Sequence, residues 1–597
     1  MPTNAPLPGC PAAGRGLLAL LAAAFACAAR AQPASGDTLA LGDVRAGQHG
    51  EVWTVFQGTK PEPFSVEVTG VVLNALGPGK SIILCRLTDP RVQNMGAVAG
   101  MSGSPLYIDG KFAGALSYQV QQFETVRYAG FTPAADMEEV AGRVGGTAAT
   151  DSPQAPAQAP APQSAFQAMK PVFALGGVSP RTAGIMAAQF ESLGLGVVSM
   201  GGSSQGPGSE PSLPPDAALP GLRPGDAVSV ALTTGDITLA GTGTVSRVDG
   251  NRIVAFGHPM LGLGDVQYPL CAADVVAILP SNLQSVKVAN IGPVIGCISQ
   301  DRLSAVSGLL GPGPEMIDVG VVARQAGEAK ERAIRFQVVR DRRIAPMIML
   351  TGVVEGVFGS NDNGPSEGVR ITSTVTFSPT RSITRASVFA GQQGFLAGMV
   401  DFLAGLNAEI QNPFENTVPA SVSFRVEQLG RNPAVTVEQF RVSRTTVRAG
   451  ESFDVLIAWR DFQGAHSETI VTVPVLPSWA GKTLEVVAAP GRVLDELTGH
   501  SRMFRAGQLR SFDAYLDAMR GSRPEDGLCV CVIEKSALFF DQEVATPEVP
   551  ASIQRIAESA DSTRYQRREA AVSLWETCIL EGKVALSDFH STVRVEE

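Results

Sequence analysis

The stretch Ala97–Tyr118, AVAGMSGSPLYIDGKFAGALSY, sets a hydroxyl between two glycines, closes the loop with proline and runs at once into a strand pattern. Its core is Gly100-Met101-Ser102-Gly103-Ser104-Pro105. Two readings fit these six residues. One is a bland tight turn. The other is a loop bent so that backbone N–H groups face the Ser102 Oγ and make it a nucleophile. The residue before a proline is held extended, so Ser102 suits the bend better than Ser104. Just beyond, Asp109-Gly110 lies between two strand-like runs, the sequence of a two-residue hairpin.

At 597 residues the chain holds several domains, because single cores stop growing well below that length. With 64 glycines, 41 prolines and only 6% aromatic residues, turn-rich β structure is expected over long helices. A formal charge of −10 without any basic run excludes nucleic acid as the main partner. Residues 1–31 read as an export signal: Arg15 precedes an apolar stretch from Leu17 to Ala28, and Ala29-Arg30-Ala31 is an A-x-A cleavage pattern. The apolar stretch is too short to span a bilayer, so the mature chain is expected in the periplasm or outside the cell, without an integral membrane segment. Lipid anchoring at Cys27 is disfavoured, since Ala24 stands where a leucine is expected.

Six cysteines remain after the signal: Cys85, Cys271, Cys297, Cys529, Cys531 and Cys578. None forms a CxxC pair of zinc spacing. Export permits disulfides, but spacing does not give their connectivity. Cys529 and Cys531, two apart on one face of a strand, read as two small buried residues.

Composition divides the remainder. A serine-bearing β-domain covers 38–145, with the alternating run FSVEVTGVV and the apolar run SIILCRL. A Pro/Ala linker (146–166), a small α/β segment (167–202) and a Gly/Ser/Pro linker (203–221) follow. A histidine-bearing β-domain spans 222–385, where GTGTVSRVDGNRIVAFGHP repeats the hairpin logic at Asp249-Gly250. Strand-like runs continue through VGVVARQ, AIRFQVV, PMIMLTGVV and VRITSTVTF. Residues 386–597 read as a β-sandwich-like region with helices, including the packed helix of SVFAGQQGFLAGMVDFLAGL and the amphipathic GQLRSFDAYLDAM.

Of five histidines, His49, His466, His500 and His590 sit in turn-like or terminal contexts. Only His258 follows a strand run and lies in a constrained Gly257-His258-Pro259 turn. A lone strand-end histidine is more often structural than catalytic. A catalytic one needs a carboxylate to hold its tautomer, and Asp89, Asp265 and Asp274 are candidates that spacing does not separate. No glycine-rich phosphate loop and no metal-spaced histidine pair occurs, so no cofactor and no metal are expected.

Taken together, Thr88-Asp89-Pro90, the Ala97–Tyr118 stretch and AFGHPM at Ala255–Met260 resemble the SpoIVB-type serine peptidases and their exported relatives. Weaker matches are FSVEV at Phe64–Val68 and IGCISQDR at Ile295–Arg302. The resemblance covers about a third of the chain, with the serine block ahead of the histidine block, the reverse of the sporulation enzymes, and without a PDZ-like segment before it. It implies a mainly β chain: a trypsin-like double β-barrel in permuted order, followed by the sandwich-like region. It also implies a triad of Ser102, His258 and Asp89, with the N–H groups of Gly100 and Ser102 as oxyanion donors. The expected activity is cleavage of a protein or peptide substrate, in envelope signalling or self-processing. The alternative is a non-catalytic envelope scaffold on the same fold that binds peptide or protein partners by strand addition.

Overall fold

The computed structural model describes residues 32–597, except 34–35, 121–125, 146–165, 170–171, 193–194, 202–220, 282–284, 360–363, 366, 499–508, 510, 542–543, 548–551, 553–554 and 556–564. The export signal with Cys27, most of both linkers and His500 therefore lie outside the described residues.

The alternation of Phe64, Val66 and Val68 turns three apolar side chains to one face of a strand, and that face becomes the inside of a barrel. Its strands are β1 (His49–Thr54), β2 (Glu62–Val72), β3 (Ile82–Leu87), β4 (Pro105–Ile108), β5 (Lys111–Val120) and β6 (Tyr128–Pro133). They pair in the order β4-β1-β2-β3-β6-β5, and β4–β5 pairing closes the ring as a six-stranded antiparallel barrel. The β4–β5 hairpin turns on Asp109 (φ +50°) and Gly110 (φ +76°), two left-handed residues as the Asp-Gly pair requires. Two short helices, α1 (Pro90–Met95) and α2 (Ala134–Ala141), flank the barrel, and β7 (Phe166–Ala168) extends it beside β5.

The α/β segment forms as β8 (Phe173–Gly176), α3 (Pro180–Ser192) and β9 (Val197–Gly201), with β8 and β9 parallel. It adds to a second barrel of β10 (Ala227–Gly235), β11 (Thr238–Asp249), β12 (Arg252–Ala255), β13 (Gly264–Leu279), β14 (Val286–Arg302) and β15 (Ala305–Leu310). These pair as β10-β13-β14-β15-β12-β11, and β10–β11 closes a second antiparallel ring of six. The chain is thus mainly β with a double-barrel region, and the serine-bearing barrel comes first. In the β11–β12 hairpin, Asp249 pairs with Arg252, so the turn residues are Gly250 and Asn251, one position later than the Asp-Gly pair suggests.

The second sheet does not stop at 385. It continues through β16 (Met316–Arg324), β17 (Glu331–Val339), β18 (Gly368–Ser378), β19 (Arg381–Ala390) and β20 (Ser421–Gln428). One sequence reading needs correction. PMIMLTGVV, taken as a strand, lies within helix α4 (Ala345–Phe358). Nearly every residue of α4 is buried, so its pattern lacks the polar face that marks a helix, and a continuous apolar run does not separate helix from strand. Helix α5 (Gly391–Ile410) forms from the expected apolar stretch, except that its opening SVFA ends β19, and packs on β18 and β19; among the described residues no helix is long and apolar enough to cross a membrane.

The C-terminal region carries two further sheets around a separate core that includes Phe453, Val455, Ile457, Val486 and Val530. Ser511 caps the helix Phe512–Arg520 by accepting from the Ala514 N–H. Cys529 and Cys531 do share one apolar face, with Val487 and Leu494. Cys529 is nevertheless more than a small buried residue. It stands directly across the strand pair from Cys578 and is joined to it by a disulfide, while Cys531 stays free. Cross-strand adjacency of residues 49 apart is a tertiary fact that spacing does not encode. Non-reducing peptide mapping should recover Cys529 linked to Cys578, and Cys578→Ala should cost about 2–5 kcal/mol of stability.

Candidate active site

Ser102 sits on the link between α1 and β4, and the sequence explains its bend. Gly100 (φ +100°) and Gly103 (φ +93°) both take left-handed backbone, which glycine adopts freely. Between them, Met101 is fully buried in the first barrel's core and pins the loop from below. The Met101 N–H donates to Val98 O, and the Ser104 N–H and Oγ both donate to Met101 O. The Ser104 hydroxyl is therefore a brace of the loop. The Ser102 Oγ is equally buried and makes no hydrogen bond among the described residues. The N–H groups of Met101 and Ser104 bond within the loop and that of Gly103 donates to Leu116 O on β5, whereas those of Gly100 and Ser102 make no such bond among the described residues.

The same loop is bonded to the second barrel. The Thr244 N–H donates to Ser102 O at 2.8 Å, the Thr244 hydroxyl to Gly100 O at 3.1 Å and the Ser246 hydroxyl to Gly103 O at 2.7 Å. Three loop carbonyls thus end on strand β11. The approach is close: a Cβ on Gly103 would lie 2.1 Å from Thr244 O and 2.4 Å from the Phe256 nitrogen.

Phe256 leads into the His258 turn with φ +70°, a conformation unusual for a non-glycine residue, and Gly257 follows at φ +69°. The fully buried Phe256 ring lies over Gly243, which has no side chain to obstruct it. From the first barrel, the Thr132 hydroxyl donates to Gly257 O at 2.6 Å. Both sequence-identified elements, the serine loop and the histidine turn, therefore meet at the seam between the barrels.

His258 is fully buried. Its Nδ1 lies 2.8 Å from Pro259 O, and among the described residues its Nε2 meets no hydrogen-bond criterion and it makes no bond to Ser102. Burial lowers its pKa to about 4, against the carbonyls of Pro259 and Met169, which favour the charged ring. The imidazole is neutral at pH 7 and can accept a proton.

The three candidate acids are held elsewhere. Asp89 caps α1 by accepting from the Arg91 N–H, and the Arg91 guanidinium pairs with it at 3.0 Å. That pairing keeps its carboxyl below the usual range, against the effect of partial burial. Asp265 pairs with Arg302 and accepts from Gln300, and Asp274 is exposed on β13. None of the three touches the imidazole here. Helix capping and surface pairing each satisfy a carboxylate that sequence alone leaves available.

The carboxylate that does serve the histidine turn went unrecognised in the sequence. Asp301, fully buried near the end of β14, accepts from the N–H groups of Met260, Leu261 and Gly262 at 2.7–2.8 Å. Burial pushes its carboxyl above the usual range, against those N–H groups. It fixes the loop directly after His258. Its only sequence signal is the acid ending the apolar run of IGCISQDR. Beside it opens a cleft of 310 Å³ whose lining includes Lys80, Asp136 and Glu139 on one side and Gly262, Asp301 and Arg302 on the other. Among the described residues no group of three His, Cys, Asp or Glu side chains could hold a metal ion.

Residues 33–132 match the family described as SpoIVB peptidase S55. Over those residues the serine-bearing barrel is similar to the SpoIVB-type peptidases. The matched segment contains Ser102 and Asp89 and ends at Thr132, whose hydroxyl reaches the His258 turn; the second barrel lies beyond it. No curated protein and no solved structure matches the chain significantly.

Two outcomes follow from this geometry. Gly103→Ala places a methyl inside backbone van der Waals distance at a left-handed position, and should lower stability by about 3 kcal/mol or more while loosening the barrels' seam, read by thermal unfolding. In histidine-selective carbon NMR, the His258 ring should titrate near pH 4 and remain neutral at pH 6.

Proposed function

We propose that the chain is an exported serine endopeptidase in which Ser102 is the nucleophile and His258 its base. The observation that carries this reading is the serine loop's attachment, through three carbonyls, to β11, which pairs with the strand β12 that leads into the His258 turn, at the seam of two six-stranded barrels. The match to a serine peptidase family over the serine-bearing barrel supports it. The Cys529–Cys578 disulfide supports an oxidising, extracytoplasmic setting.

In the mechanism, the neutral Nε2 of His258 takes the Ser102 proton as Oγ attacks a peptide carbonyl. The N–H groups of Gly100 and Ser102 receive the developing oxyanion. His258 then returns the proton to the leaving amine, and water hydrolyses the acyl-serine. Pro259 O accepts the Nδ1 proton, holding the tautomer that leaves Nε2 free. Asp89 joins as the orienting acid only if it leaves Arg91.

A second reading has its own observation. Ser102 Oγ and His258 Nε2 are both enclosed and not bonded to each other, as in a latent enzyme or a peptide-binding scaffold. Fluorophosphonate labelling decides between them. Labelling is expected in the wild type and lost in both Ser102→Ala and His258→Ala with folding intact by circular dichroism. Peptidase activity, once a substrate is found, should fall on the order of a millionfold in Ser102→Ala. A wild type that stays unlabelled under every processing condition favours the scaffold.

A further inference from the structure

Lys287 is a fully buried amine with no acid beside it among the described residues, placed directly against the serine loop. Its N–H donates to Ala99 O at 2.9 Å, and the Ala99 N–H donates to Ser285 O at 2.9 Å, so β14 and the start of the loop bridge like two strands. Its stem then runs across Gly100: a Cβ on Gly100 would lie 2.8 Å from Lys287 Cβ and 3.5 Å from Cδ. The amine ends against β1, donating to the Thr54 hydroxyl at 3.1 Å.

The elements packed on it bring titratable groups of their own. Strand β1 carries His49 and Glu51, β13 carries Asp265 and Asp274, and β14 itself carries Asp301 and Arg302. Asp265 pairs with Arg302, Asp301 is held by the His258 loop, and Asp274 is exposed. None of these groups makes an ion pair with Lys287. A buried ammonium with one hydroxyl for a partner is costly, and burial lowers this amine's pKa to about 7.

We propose that Lys287 is a positioning residue for the proposed nucleophile, holding the Gly100–Ser102 loop closed when its amine is neutral and releasing it when protonated. The enclosed Ser102 belongs to the neutral form. An ammonium must reach water, and its stem cannot swing outward without leaving Gly100, the residue that carries one of the proposed oxyanion N–H groups. This rests on the reading of Ser102 as nucleophile, and it adds proton control near pH 7 to that site.

The test compares the full chain with its Lys287→Met variant, which keeps the stem and removes the proton. Hydrogen exchange of the peptide covering residues 97–106, corrected for intrinsic rates, is read from pH 5.5 to 8.5. In the wild type, loop opening should rise as pH falls through about 7, by at most about tenfold per unit, as one proton allows. In Lys287→Met it should stay flat. Fluorophosphonate labelling of Ser102 should show the same rise in the wild type alone.

Thermal unfolding guards against a merely structural effect. The amine's pKa is lower folded than unfolded, so wild-type stability rises with pH between about 7 and 10.5, and Lys287→Met should be the more stable near neutrality, with the gap closing as pH rises. Exchange that is pH-independent in the wild type, inverted in sign or unchanged by the substitution overturns the proposal. An exchange step without labelling at any pH would instead retain Lys287 as the loop's switch and overturn Ser102 as nucleophile.

Discussion

The double barrel depends on one set of contacts: the carbonyls of Gly100, Ser102 and Gly103, bonded to Thr244 and Ser246 of β11. Each is a buried backbone acceptor that would otherwise be left unsatisfied, at a cost of about 1–3 kcal/mol. Closure takes these carbonyls out of water, and the bonds to β11 offset that desolvation while joining the serine loop to the barrel that carries the histidine turn. The clamp works only because side chains are missing at two crossings. Gly103 lets the loop reach Thr244 and Phe256, and Gly243 makes room for the Phe256 ring. The left-handed backbone at Phe256 is then maintained by packing on both sides, which is how locally unfavourable conformations persist at functional sites.

Electrostatics at the seam are governed by desolvation. His258, Asp301 and Lys287 are all removed from water, and each has its charged form disfavoured by burial. They differ in how the polar atoms are met. Asp301 is satisfied by a ring of backbone N–H groups and acts as a structural pin. Lys287 has one hydroxyl. Among the described residues, His258 is bonded at Nδ1 to one carbonyl and has no hydrogen bond at Nε2, while the Ser102 hydroxyl has none. An unbonded polar atom on each of the two candidates distinguishes them from Ser104 and Asp301, which are equally buried and bonded.

The acids show why a triad is harder to read than its nucleophile. A serine between glycines carries its conformational requirement in the adjacent residues. An orienting carboxylate carries none, since any aspartate brought within reach would serve. Asp89 is drawn away by a vacant helix N-terminus and by Arg91, both local interactions. Asp301 reaches the histidine turn from 43 positions away, because β14 pairs with β13 and ends beside that loop. The proposed export rests on the composition of residues 1–31, and the cross-strand disulfide is compatible with it.

By itself the sequence determined features set by neighbouring residues: the Asp109-Gly110 turn, the Gly-flanked serine loop, the alternation that lines the first barrel, and the isolation of His258 in a Gly-His-Pro turn. These depend on φ preferences and on period-two burial, which act over a few positions. Only the tertiary structure decided that PMIMLTGVV is helical, since its apolar run fits either element and the helix forms where it is enclosed on all sides. It also decided which cysteine pairs with Cys529, which acid holds the His258 loop, and that a lysine more than 180 residues from Ser102 lies under its loop. Each of those outcomes follows from closing two barrels against one another, and the free energy of that closure belongs to contacts between residues far apart in the chain.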